Sequence, residues 1–213
     1  MTSGIDSDDF AENHITCTRQ WNDWIYRHMT TSVEFKASCN ETLVVVQQVI
    51  DKAGLGLSVA WLNEDEFESL SRNPESKLNW LNYFPHYLHE ESFSAAFKVT
   101  GSQNVEGAFL SIYSVADKHL HLFMIESLVK DDASHPLKGR LTALAVIAMT
   151  DLLASIDDSV GAFIIQPDPD LIGHYNKFGF SYRQDQNVMH ADFNTLTSVQ
   201  RNILRRANLR VDW

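Results

Sequence analysis

Cysteine is nearly absent from these 213 residues: Cys17 and Cys39 are the two there are. Neither sits in a C-x-x-C pair, so the sequence supports neither a disulfide framework nor a zinc knuckle. Proline (5) and glycine (9) are scarce, which argues against long disordered tracts. Positive charge is also short. There are 17 Lys and Arg against 28 Asp and Glu, a formal net charge of -11. A general nucleic-acid binder carries the opposite balance. Long apolar runs are missing as well. Leu43–Val46 and Ala143–Met149 are far too short to span a bilayer, and the N-terminus shows no basic-then-apolar signal segment. These absences describe a soluble cytoplasmic protein with reduced thiols and no membrane partner.

What is present suffices for a packed core, with 44% hydrophobic and 21% charged residues. The length fits one large domain, or one domain with an extension. The acidic field would draw in a cationic substrate, and it equally suits an acidic protein with no such substrate.

The first ten residues, MTSGIDSDDF, are polar and acidic. Residues 12–28 carry Trp21, Trp24, Ile25 and Tyr26 in a helix-like pattern. The next segment, NETLVVVQQVIDKAG, predicts a helix capped by Asn40 and stopped by Gly54, with Leu43, Val46, Val49 and Ile50 on one face. Its β-branched run keeps a strand open as the alternative. LSVAWL (57–62) reads as a strand. NEDEFESL reads as a helix start, with Asn63 as N-cap and Glu66 closing a capping box. That explains the acidic cluster without a metal. LNWLNYFPHYLHEES continues as a helical segment broken near Pro85. Three strands joined by tight turns come next, at 94–101, 107–115 and 119–129. RLTALAVIAMTDLLASI is a helix buried on most faces. VGAFIIQ is a strand, DPDLIGHYNKFG a short helix with a glycine stop, FSYRQ and VMHADF strands, and TSVQRNILRRANLRVDW an amphipathic helix. A three-strand meander thus runs into a βαβ unit.

Two stretches carry the chemistry. The first is PLKGRL, Pro136–Leu141, opening the buried helix. The second is DPDLIGHYNKFGF, Asp168–Phe180, after the next strand. Together with the order of elements over about residues 57–193, they resemble the GNAT-type N-acetyltransferases. The resemblance implies an α/β (α+β) fold with a mixed, mainly antiparallel sheet flanked by helices. Residues 56–193 are then expected to be the acyltransferase domain; 1–55, expected as an N-terminal helical extension, and 194–213, expected as a C-terminal helix, lie outside the resemblance. In that family a Gln/Arg-x-x-Gly-x-Gly/Ala loop holds the cofactor pyrophosphate on backbone amides, a task suited to a helix N-terminus. Gly139 falls on the first glycine. Pro136 replaces the Gln/Arg and has no N–H, and Leu141 replaces the second small residue. Lys138 and Arg140 are candidate phosphate contacts in compensation, with Thr142 next in the helix. In the second stretch Asp168 stands where the family has Asn, and Tyr175, Gly179 and Phe180 match in register. Asp168 keeps a capping oxygen but adds negative charge near a polyanionic cofactor. The resemblance implies acetyl-CoA as donor and Tyr175 as the acid that protonates the departing thiolate. A tyrosine packed at the rim of the core is the alternative.

Glu126, in FMIESLV, is an acid in an otherwise apolar strand, and core packing does not explain it. It is the candidate proton acceptor from the amine, directly or through water. A solvated face or a pairing with Lys or Arg is the alternative. Leu128 and Val129 are expected to offer backbone contacts to the thioester and pantetheine. His119, His121, His135, His174 and His190 complete no recognisable metal site, and no Gly-x-Ser-x-Gly elbow supports a hydrolase. Arg201, Arg205, Arg206 and Arg210 fit a solvated face of the last helix better than a phosphate-binding handle. The leading expectation is an acyl-CoA-dependent N-acyltransferase acting on a small-molecule or peptide amine. The competing one, motivated by Pro136 and Leu141, is a GNAT-like fold that senses a ligand or binds a protein. Residues 12–54 are a candidate homodimer contact or acceptor-site cover.

Overall fold

The computed structural model describes residues 32–83, 93–101 and 104–207. The aromatic segment at 12–28, Cys17, Pro85 and the last arginine, Arg210, lie outside the described residues.

The first described helix, α1 (Ser32–Lys52), begins eight residues before the expected Asn40 cap. Asn40 lies mid-helix, where its Oδ1 accepts a hydrogen bond from Trp61 Nε1 at 2.7 Å. A good capping residue found a tertiary partner and lost its capping role. Gly54 ends the segment with φ +63°, as its position after the apolar periodicity implied. β1 (Ser58–Trp61) and α2 (Glu64–Arg72) come next. Asn63 accepts from Glu66 N at 2.9 Å, and the Glu66 carboxylate accepts from Asn63 N at 3.1 Å. The reciprocal capping box is therefore formed. Of the long aromatic segment, a single 3₁₀ turn at Trp80–Tyr83 is described.

β2 (Ser94–Thr100), β3 (Val105–Ser114) and β4 (His119–Ser127) form the expected antiparallel meander. α3 (Leu141–Ala154) then returns the chain to β5 (Gly161–Ile165), which pairs parallel with β4. A 3₁₀ turn (Pro169–Leu171) and α4 (Ile172–Asn176) lead to β6 (Ser181–Arg183), β7 (Val188–Asp192) and α5 (Phe193–Arg206). α5 starts earlier than the amphipathic tail suggested, because Asp192 caps it through Thr195 N at 2.8 Å. The seven strands lie in the order β1-β2-β3-β4-β5-β7-β6, antiparallel everywhere except β4–β5.

One face of the sheet is covered by α1, α3 and α5, the other by α2 and the Trp80 turn. α3 is nearly uniformly apolar, and ten of its residues are buried. The two polar groups in its second half are both hydrogen-bonded. Thr150 donates to Val146 O at 2.7 Å, and Asp151 accepts from Thr42 of α1 at 2.9 Å. Burial raises the Asp151 carboxyl above its usual range, with the Thr42 bond opposing and the Glu41 charge adding to it. α1 enters the same core through Phe35, Cys39, Val46, Val49 and Ile50. Burial pushes the Cys39 thiol up to about 12, so it is an unreactive packing residue.

Two departures from regular pairing open the sheet. Leu110 pairs with Met124 and Ser111 with Leu122, so Phe123 is an extra residue, a β-bulge. β4 and β5 pair through His119–Leu122 against Gly161–Ile164 and no further. Beyond Leu122 the two parallel strands part, and Phe123–Ser127 face an opening instead of a neighbouring strand.

Candidate active site

The opening is a cavity of about 470 Å³, inside the ~300–1,000 Å³ range of small-molecule sites. Its floor is the freed half of β4, with Ile125, Glu126 and Ser127. One wall is the loop into α3, with Leu137, Lys138, Gly139, Leu141 and Thr142. The other is the segment of Asp168, Leu171, His174 and Tyr175. Lys77, Leu78 and Lys130 stand at the rim. The fold thus gathers seven of the residues singled out in the sequence: Glu126, Lys138, Gly139, Leu141, Thr142, Asp168 and Tyr175. It does so in a chain of net charge -11, yet Lys77, Lys130 and Lys138 ring this cavity.

Three candidates lie elsewhere. Arg140 turns back on its own loop and donates to Pro136 O. Leu128 and Val129 line a different cavity, beside α2, with Glu66, Glu75 and Glu106. The Leu128 amide donates to Glu106 O at 2.9 Å, continuing the β3 ladder. Alternate amides of a strand point to opposite sides. The backbone groups of Ile125 and Ser127 therefore point away from β3, into the opening. Leu128 and Val129, the pair expected from the sequence, line the neighbouring cavity instead. The pattern of side chains carries no sign of this, because the parity is set by pairing with β3.

The α3 loop is built for donors. Leu137 N is taken by His135 Nδ1 at 3.1 Å, Lys138 N by His135 O and Arg140 N by Leu137 O, both at 2.9 Å. The amides of Gly139, Leu141, Thr142 and Ala143 have no partner among the described residues. Gly139 has φ +69°, and nothing lies within 4 Å of where a Cβ would be. The backbone there is open to a ligand at the positive end of a 14-residue helix. Pro136 costs the loop no donor, since the available amides all lie beyond it.

Leu141 does not obstruct this end. It is 5% exposed and belongs to the core. The reason is Gly107 on β3, whose absent Cβ leaves room for Leu137 and Leu141. A Cβ there would come within 2.8 Å of Leu137 Cδ2 and 3.2 Å of Leu141 Cδ1. Gly107→Ala is expected to lose about 1–3 kcal/mol in chemical denaturation, because Leu137 and Leu141 are buried and cannot swing clear. Unchanged stability would mean that the loop is not seated on Gly107.

Tyr175 is 5% exposed. Burial, and then the nearby Asp168 charge, push its phenol up to about 12. Its hydroxyl has no hydrogen-bond partner among the described residues. Asp168 does cap its helical turn, accepting from Asp170 N at 2.9 Å. His174 reaches across to Thr142, Nε2 to Oγ1 at 2.9 Å, and ties the Tyr175 segment to the start of α3. Burial and then the Lys177 charge lower its pKa, so His174 is neutral at neutral pH.

Glu126 is 8% exposed and accepts three hydrogen bonds. Its Oε2 accepts from Ser76 Oγ at 2.7 Å and Trp80 Nε1 at 2.9 Å, and its Oε1 from Lys77 N at 2.6 Å. Neither a solvated face nor a lysine or arginine partner accounts for this acid; a hydroxyl, an amide and an indole do. A carboxylate offers about four lone-pair sites. Three are used, and the fourth remains on Oε1.

The other histidines form a separate group. His119 Nε2 lies 3.3 Å from His190 Nε2, and His121 Nε2 lies 3.0 Å from Asp117 Oδ2. Among the described residues no group of three or more His, Cys, Asp or Glu could hold a metal ion. None of the described helices is long and apolar enough to cross a membrane.

No protein-family model matches the chain, and no curated protein matches it in sequence. Solved structures do share its fold. The crystal structure of AtaTR bound with AcCoA matches with a TM-score of 0.51 at 14% identity, over 68% of this chain and 98% of that one. An uncharacterized protein, bh2621 from Bacillus halodurans, matches at 0.50 and 10% identity, over 71% of this chain and 91% of that one. This is the GNAT-type acetyltransferase fold. The bulge at Phe123 and the parting of β4 from β5 are what open the GNAT sheet here, and α1 and α5 pack with α3 on one of its faces.

Proposed function

We propose that the chain is an acyl-CoA-dependent N-acyltransferase, in its simplest form moving acetyl from acetyl-CoA to a primary amine by direct attack. One observation carries the reading. The amides of Gly139, Leu141 and Thr142, unpartnered among the described residues, a positive-φ glycine and three lysines all line one cavity opened by strand separation, in a strongly acidic chain. Polyphosphate is the ligand such an end takes. The fold-likeness to AtaTR, crystallised with AcCoA, supports the same donor.

In this reading the phosphates lie against Gly139, Leu141 and Thr142, with Lys138 as a charged contact. The acyl arm runs along β4 into the opening. The neutral amine attacks the thioester carbonyl carbon; the C–N bond forms, the C–S bond breaks, and the sulfur leaves with the electron pair. The amine proton passes through water to the free lone pair of Glu126 Oε1. Tyr175 faces the leaving sulfur. Full proton transfer from a phenol near 12 to a thiolate whose acid lies near about 8.5 is uphill by about 5 kcal/mol. Tyr175 therefore acts by donating a hydrogen bond to the developing charge, and the proton that ends on sulfur comes by way of solvent. The acceptor is a small-molecule or peptide amine, favoured as a cation by the acidic surface.

Calorimetry with acetyl-CoA tests the donor, and release of free CoA across a panel of primary amines tests the transfer. Saturable binding with amine-dependent CoA release is expected. Absence of binding at millimolar acetyl-CoA would refute the reading. Binding without release on any amine would leave a ligand-sensing module in its place.

A further inference from the structure

We propose that His135 is a positioning residue that aims the α3 loop at its ligand, a role that rests on the acyl-CoA reading above. The loop is a run of tight turns ending at the helix. His135 N donates to Asp132 O at 3.3 Å, Lys138 N to His135 O at 2.9 Å and Arg140 N to Leu137 O at 2.9 Å. The His135 ring adds a bond of its own, since Nδ1 accepts from Leu137 N at 3.1 Å. Ring and carbonyl of one residue thus hold two successive amides, those of Leu137 and Lys138. The loop amides proposed to meet phosphate, those of Gly139, Leu141 and Thr142, begin directly after them. Leu137 is fully buried, so its N–H depends on that ring nitrogen. Without it the loop must shift to give the N–H another partner.

The ring is itself oriented. An Nδ1 that accepts leaves the proton of the neutral ring on Nε2. That nitrogen faces the Glu106 carboxylate of β3, with 3.4 Å between Nε2 and Oε2, and both side chains are mostly buried. Glu106 precedes Gly107, where Leu137 and Leu141 are seated. Two adjacent residues of β3 therefore meet the loop, Gly107 by packing and Glu106 by a polar contact to His135. A loop held in its binding shape before the ligand arrives loses no affinity to ordering.

Asparagine separates aiming from packing. Its side-chain oxygen also accepts from the amide two residues on, yet it is too small to fill the space of the ring or to reach Glu106 in the same way. Wild type, His135→Ala and His135→Asn are titrated calorimetrically with CoA and with adenosine 3′-phosphate 5′-diphosphate, the CoA fragment that carries the phosphates. His135→Ala is expected to weaken both ligands about 10-fold, as for a loop in its competent shape about one time in ten. His135→Asn should stay within about 3-fold of wild type. Unchanged affinity in the Ala variant would overturn the role, and so would an Asn variant as weak as the Ala one. Should the Ala variant not fold, imidazole nitrogen NMR of the wild type decides instead. The neutral His135 ring must carry its proton on Nε2, and a proton on Nδ1 would overturn the role. A wild type that binds neither ligand would refute the acyl-CoA reading, and the role of His135 with it.

Discussion

Replacing Tyr175 by Phe should lower kcat about 100-fold while leaving acetyl-CoA affinity within about two-fold. The expectation comes from how the hydroxyl is placed. It makes no hydrogen bond to the described residues, so its removal breaks no structural contact with them. It lies in the cavity with its proton held tightly, near 12, so it is a donor throughout the neutral and mildly alkaline range. Its energy is therefore felt where negative charge grows on sulfur and hardly at all in the ground-state complex. Steady-state kinetics on an amine that supports turnover, with calorimetry on acetyl-CoA, separates the two effects. Equal losses in affinity and kcat would make Tyr175 a binding residue. An unchanged kcat would remove it from the reaction and return it to the rim of the core.

The stretch around Tyr175 is legible in the sequence because its reasons are local. Gly179 takes φ +87° at the helix stop, and Asp168 caps the turn. Phe180 is buried, as its register with the next strand required. Gly139 is legible for the same reason, a turn that runs into a helix. Leu141 is not, because its direction is decided from β3, by the missing side chain of Gly107. Nothing in PLKGRL carries that information. The start of α1 is hidden likewise: Asn40 has every mark of a cap, and Trp61 claims it.

Glu126 lies between these cases, and its two substitutions should behave differently. The sequence shows that an acid stands in an apolar strand; it does not show that donors from residues 76, 77 and 80 hold it. Glu126→Ala leaves the indole N–H of Trp80, a fully buried residue, without an acceptor, and frees Ser76 and Lys77 N. The expected loss is about 2–4 kcal/mol, because the Trp80 donor cannot reach water and the other two partly can. For a chain of this size that is a fall of about 5–15 °C in Tm. Lys77 and Leu78 at the cavity rim should move with it. Glu126→Gln keeps one acceptor oxygen and the same shape, so its fold should survive with a loss of about 1–2 kcal/mol. What it removes is the negative oxygen that, in the proposed reaction, takes the amine proton through water. If that role is real, kcat falls about 100-fold in the Gln variant while acetyl-CoA affinity holds. A Gln variant with near-normal kcat and a raised KM would show that Glu126 only anchors the 76–80 segment against β4, and that the amine loses its proton to solvent.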